Sequence, residues 1–181
     1  MRSLPFASFV GIALAALVAS ACGPMRVNAF VERNTNFADF KTYAWAPPDQ
    51  LTTGDPRLDN NEFFQERVKT AVEKGFDARG LEKATAGTAD VVLHYHASVT
   101  QRVDANGADE RYGYCEDCRP FVFDAGTLTL DVVDAQTNHL VWRGWAESSI
   151  DGVIDNQQWL ERRIDEAVTR ILERFPVRPR L

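Results

Sequence analysis

The sequence predicts an α+β fold: a two-layer sandwich in which two helices pack on one face of a mainly antiparallel sheet, in the order β-β-α-β-β-β-α. Three observations carry this. Residues 126–147, GTLTLDVVDAQTNHLVWRGWAE, alternate apolar and polar side chains on both sides of a polar turn, the pattern of a hairpin of half-buried strands. Two stretches, Asn60 to Arg79 and Asn156 to Arg174, repeat apolar residues at helical spacing. A lone hairpin is marginal in water, so the hairpin needs further strands and a cover, and the flanking segments supply both.

Taken in order, Pro24 to Arg33 sets Val27, Ala29 and Val31 against Arg26, Asn28 and Phe30, which predicts a first strand. Asn34 to Phe37 reads as a turn. Phe40 to Trp45, rich in aromatics and threonine, is a second strand, stopped by Pro47 and Pro48, which lack the amide hydrogen a ladder needs. Asp49 to Asn60 is a polar loop. In the first helix Phe64, Val68, Ala71, Val72 and Phe76 share a face. Asn60 or Asn61 caps its start, and Gly80 closes its end. Ala89 to Val103 is the longest strand, with Val91, Leu93, Tyr95, Ala97 and Val99 on one side and Val92, His94, His96 and Ser98 on the other. Asp104 to Pro120 is a loop, and Phe121 to Phe123 leads into the hairpin. There Leu128, Leu130 and Val132 share a face; on the return arm Leu140, Trp142, Gly144 and Ala146 do. Trp142, in register with Leu140, is assigned to the core, and Trp145 to the outer face. The last helix carries Trp159 or Leu160, then Ile164, Ala167, Val168, Ile171 and Phe175, and Pro176 stops it.

The first 21 residues have the composition of an export signal. Arg2 is the only charge, an apolar run follows, and Ala19-Ser20-Ala21 leads to Cys22. Small residues directly before a cysteine resemble the bacterial lipobox, with Ala19 where that pattern usually has Leu. The resemblance implies lipid on Cys22 as the mature N-terminus. Gly23 stands where an Asp tends to retain Gram-negative lipoproteins in the inner membrane, so the same resemblance implies the outer membrane, facing the periplasm. The expected organisation is a lipoprotein signal peptide over 1–21 and one periplasmic domain over 22–181. Removing residues 1–21 removes Arg2 and takes the net charge from −6 to −7. An acidic domain without a basic stripe is not expected to take nucleic acid as a partner.

Several blocks then resemble one bacterial lipoprotein family, that of domain of unknown function (DUF) 4136. They are Asn36 to Trp45 (NFADFKTYAW), Ala89 to Val92 (ADVV), Gly126 to Asp134 (GTLTLDVVD), Val141 to Gly144 (VWRG) and Arg174 to Pro176 (RFP), in that order. The resemblance spans nearly all of the mature chain. It implies an envelope lipoprotein and carries no catalytic residues.

Candidate chemistry is sparse. Cys115 and Cys118 form an even pair once Cys22 is assigned to lipid. In an oxidising compartment the simplest use of C-x-x-C is a short disulfide. A redox role needs the motif at a helix start, and the intervening Glu116 and Asp117 would raise the thiol pKa. A third use is metal. His94 and His96, two apart on a strand, face the same side, and with both thiolates they make a Cys₂His₂ set suited to zinc or copper. The plain alternative leaves both histidines as half-exposed polar residues, and His139 as a solvated residue beside the hairpin turn. G-x-S-x-G, H-E-x-x-H and P-loop motifs are all missing from the sequence. Of Trp142 and Trp145, the outward Trp145 is the candidate contact for an envelope protein or glycan. The expected function is therefore a membrane-anchored envelope lipoprotein with a non-catalytic structural, assembly or partner-binding role and no cofactor. The alternative is a metal or small-ligand binding protein using His94, His96, Cys115 and Cys118; third comes an envelope enzyme of unknown class.

Overall fold

The computed structural model describes residues 25–47, 52–85, 88–104 and 121–177. These form β1 (Arg26–Val31), β2 (Thr42–Trp45), α1 (Glu62–Asp77), β3 (Glu82–Lys83), β4 (Val91–Asp104), β5 (Phe121–Asp134), β6 (Leu140–Ser149) and α2 (Gln157–Leu172). A short 3-10 turn, Phe37–Asp39, begins at the last residue of the expected turn Asn34 to Phe37, and it buries Phe37. The strands make one six-stranded sheet in the order β1-β6-β5-β4-β2-β3. Pairing is antiparallel from β1 through β4 and parallel from β4 through β2 to β3, so the fold is α+β with a mixed sheet. The sequence pattern misses β3. Two exposed residues are too few to show alternation, and β3 exists through its parallel bridges to β2.

Both helices start where asparagine chemistry places them. The Asn61 side chain accepts from the Phe64 amide at 3.0 Å, and the Asn156 side chain accepts from the Trp159 amide at 3.1 Å. Asn60 adopts φ +56, and Gly80 takes φ +81 just beyond α1, a left-handed position that costs glycine nothing. α1 buries Phe64, Val68, Val72 and Phe76; α2 buries Leu160, Ile164, Ala167, Val168, Ile171 and Leu172. Trp159 points out, so Leu160 begins the buried stripe. The helices lie against each other, with the Cα of Gly75 beside the Leu172 side chain and Arg67 paired with Glu161 and Asp165.

The core forms between these helices and one face of the sheet. Trp142, Tyr43, Phe76 and Val132 are within 1% of complete burial. Phe175 packs edge-on against Trp142, Phe76 and Phe37 with centroids 5.1 to 5.7 Å apart. The Trp142 indole donates to the Arg174 carbonyl at 3.4 Å. The parallel join between β2 and β4 is held at its start by Asp90. One carboxylate oxygen accepts from the Lys41 amide (2.8 Å), the Thr42 amide (2.9 Å) and the Thr42 hydroxyl (3.0 Å).

Candidate functional site: the open sheet face and a polar end cleft

The face of the sheet away from the helices is built by strand alternation alone. Register across β4, β5, β6 and β1 sets His94, Asp131, Arg143 and Phe30 in one row. The next row holds His96, Thr129, Trp145 and Asn28, and the one after it Ser98, Thr127, Glu147 and Arg26. His94 and His96 therefore share this face, as their spacing requires, and both are half-buried. Trp145 is half-buried on the same face, while Trp142 is fully enclosed on the other.

The centre of this face is an ion pair that the sequence pattern does not disclose. Asp131 is 6% exposed on a face otherwise open to solvent. Arg143 grips it with both arms of the guanidinium: Nε donates to Oδ1 at 2.6 Å and a terminal nitrogen donates to Oδ2 at 2.5 Å. This pairing holds the Arg143 pKa above its ordinary value. His96 Nε2 lies 3.7 Å from Asp131 Oδ2, within charge contact but beyond a hydrogen bond. Farther along the sheet Arg102 donates to Glu147 at 2.8 Å. Among the described residues the face thus carries two ion pairs, with Trp145 and the exposed Phe30 beside the Asp131–Arg143 pair.

An open cleft of about 440 Å³ lies at the end of the sheet, between the segment after β1 and the β5–β6 turn. Glu32, Asp39, Asp90, Asp134 and His139 are among the residues that line it. Two of its carboxylates, Asp134 and Asp90, accept from backbone amides. Asp134 accepts from the Gln136 and Thr137 amides at 2.8 Å, and these bonds hold its pKa below the usual carboxylate range. The Lys41 and Thr42 amides do the same for Asp90. His139, expected only as a solvated residue, is exposed at the rim of this cleft.

The lipid candidate Cys22 and the pair Cys115 and Cys118 lie outside the described residues. Among the described residues, no group of three or more His, Cys, Asp or Glu side chains is arranged to hold a metal ion. Of the four residues of the expected Cys₂His₂ set, only His94 and His96 are among the described residues. Among the described residues, no helix is long and apolar enough to cross a membrane.

Comparison with solved structures shows a similar fold in a PDZ domain protein from Parabacteroides distasonis. The TM-score is 0.55 at 15% identity over 86% of this chain, which spans 37% of that protein. The PelC dodecamer from Paraburkholderia phytofirmans aligns over 87% of this chain and all of its own, with a TM-score of 0.47 and 15% identity. Comparison with curated proteins gives no match. The family model of DUF4136, a domain of unknown function, matches residues 27–177, from β1 past the end of α2. The chain belongs to the DUF4136 family.

Proposed function

We propose that this protein is a lipid-anchored envelope protein, held in the outer membrane through Cys22 and facing the periplasm, whose open sheet face binds a partner. The observation that carries the binding reading is the composition of that face. It is a sheet surface with Trp145 and Phe30 next to the matched Asp131–Arg143 pair, rimmed by Asn28, Thr129 and His96. Aromatic side chains with arginine and short polar groups are what protein and glycan contacts use. Export and lipidation are supported by the sequence before residue 25, where small residues lead into Cys22.

Two measurements test this reading. Mass spectrometry of the mature protein is expected to find diacylglycerol and an amide-linked acyl chain on Cys22; an unmodified N-terminus at another residue ends the anchoring half. A photoreactive amino acid at position 145, activated in living cells, is expected to give a discrete adduct with an envelope protein or cell-wall glycan. If the same probe at exposed Gln136 captures the same partners with equal yield, the open face is not the binding surface.

A second reading rests on the shared face of His94 and His96, which puts both imidazoles on one side of β4. There the protein binds zinc or copper with Cys115 and Cys118. Metal content and free thiols of protein purified without reductant separate the readings. Stoichiometric metal with two free thiols, released by H94A/H96A, supports the metal reading; a blocked thiol pair without metal removes it.

A further inference from the structure

β1 is one edge of the sheet: its inner side pairs with β6, and among the described residues no strand lies beyond it. An open edge presents a row of backbone donors and acceptors to any strand that comes alongside. Which residues present them follows from the ladder. The Glu32 amide donates to the Val141 carbonyl at 2.9 Å, and mutually bonded residues recur at every second position of an antiparallel pair. Arg26, Asn28, Phe30 and Glu32 therefore turn their backbone groups inward to β6, and Val27, Ala29 and Val31 turn theirs outward. The edge lacks the usual guards. β1 reads RVNAFV, without proline and with its single charge on the first residue. Phe30 and Val31, at its far end, are 45% and 41% exposed.

The same strand is complementary to itself. Antiparallel pairing of two copies about Ala29 sets Ala29 opposite Ala29 and Val27 opposite Val31, and these are the residues whose amides and carbonyls face out. Between them fall the pairs without mutual hydrogen bonds, where side chains approach most closely: Asn28 opposite Phe30, and Arg26 opposite Glu32. By alternation Arg26 and Glu32 both lie on the open face, and both are exposed. Neither has an ion-pair partner among the described residues. Arg26 stands beside Glu147, which is held by Arg102 at 2.8 Å, and one Glu32 oxygen accepts from the adjacent Arg33 amide at 3.1 Å. A shift of two residues either way destroys the match, since Arg26 then faces Phe30 or Asn34. The helices leave room for this pairing. α2 packs chiefly over β6, and three strand spacings hold the two copies' β6 strands ~14 Å apart, more than the ~8–10 Å that packed helices need.

We propose that β1 is a self-association edge, at which two copies of this chain join β1 to β1, antiparallel about Ala29, into one continuous sheet with both helical layers on the same side. The inference goes beyond the binding role of the open face and does not depend on lipid at Cys22. Each Arg26 closes an ion pair with Glu32 of the second copy, and the exposed Val31 packs against Val27 of the second copy. The two open faces then run together, with Asn28 and Phe30 of both copies between the two Trp145 side chains. Six residues a side is well short of the ~20–30 of a standard interface, so the dimer is expected to dissociate on dilution.

The test is sedimentation of the full-length chain in mild detergent over a dilution series, with circular dichroism as the control on folding. The unaltered chain is expected to show a monomer–dimer equilibrium. Arg26→Glu and Glu32→Arg alone are each expected to weaken the dimer about tenfold or more, because twofold symmetry counts every repulsion twice. Mixed in equal amounts, these two variants are expected to associate with each other again, since each cross-strand charge pair is then one arginine and one glutamate. In cells carrying Ala29→Cys, oxidation is expected to link position 29 to position 29 of a second copy, identified by the mass of the joined peptides. A chain that stays monomeric at every concentration overturns the proposal, as does a dimer that both charge reversals leave unchanged. A link from position 29 only to a different protein, or only to other cysteines of this chain, overturns it too.

Discussion

Trp142 shows how a single side chain is placed by alternation. It shares a face with Leu140, Gly144 and Ala146, and the indole ends fully buried against Phe175, with Gly144 flat beneath its outer edge. Trp142→Ala removes the largest fully buried side chain among the described residues, and we expect a loss of about 3–5 kcal/mol in urea unfolding. That choice between Trp142 and Trp145 was legible because strand parity is strict. The burial of Asp131 was not. A carboxylate on the outer face of a strand reads as solvated, and only the pairing of β5 with β6 brings Arg143 over it. Arg143→Ala leaves a buried carboxylate without its donor. The guanidinium is 45% exposed, so after solvent screening the expected loss is ~1–2 kcal/mol. Adding Asp131→Asn is expected to recover part of it, because the orphaned charge is then gone. Equal losses in the single and double variants would show that the arginine acts by packing alone.

Elements follow the sequence where they are long and periodic. Both helices begin at asparagine caps, and their buried stripes match the spacing of the apolar residues. β3 has no such signal and is a product of tertiary pairing. Helix contact shows a conflict between local and tertiary preference. Gly75 sits in the interior of α1, where glycine costs about 1 kcal/mol relative to alanine. The structure uses that position for close approach, since a Cβ there would collide with the tip of the Leu172 side chain, which is itself 1% exposed and would have to shift. Gly75→Val is therefore expected to destabilise by about 1–3 kcal/mol despite removing a flexible residue. The combination Gly75→Val with Leu172→Ala should be less harmful than the two losses added together. Strict additivity would mean that the helices do not meet at this point. The reason for glycine here was not legible in the sequence, because it lies in the partner helix, almost a hundred residues away.

For the molecule as a whole, the acidic sequence tells only the sign of the surface; the structure shows which carboxylates are bound to the fold. Asp55 accepts from Arg57, Asp90 from the Lys41 and Thr42 amides, and Asp134 from the Thr137 and Gln136 amides, and each has its pKa held below the ordinary 3.8. Glu73 is lowered too: burial alone would raise it, but hydrogen bonds from Lys83 and Trp45 outweigh that. Below the unfolded value the unfolded chain binds these protons more readily than the folded one does. Their contribution is thus complete above that value and is lost as pH falls through the folded values. Stability is expected to fall on acidification below pH 3.8, beyond what general charge repulsion gives. Asp90 and Asp134 lie at the same end of the sheet, where β2 joins β4 and β5 turns into β6, so acid should loosen that end first. Hydrogen exchange resolves it. Amides of Lys41, Thr42, Gln136 and Thr137 are expected to lose protection at a higher pH than those of the β5–β6 ladder around Leu130 and Gly144. In Asp90→Asn the early loss at Lys41 and Thr42 should already be present at neutral pH and should no longer vary with acid. Simultaneous loss across the whole sheet would mean that these carboxylates stabilise the domain as one unit and not their own turns.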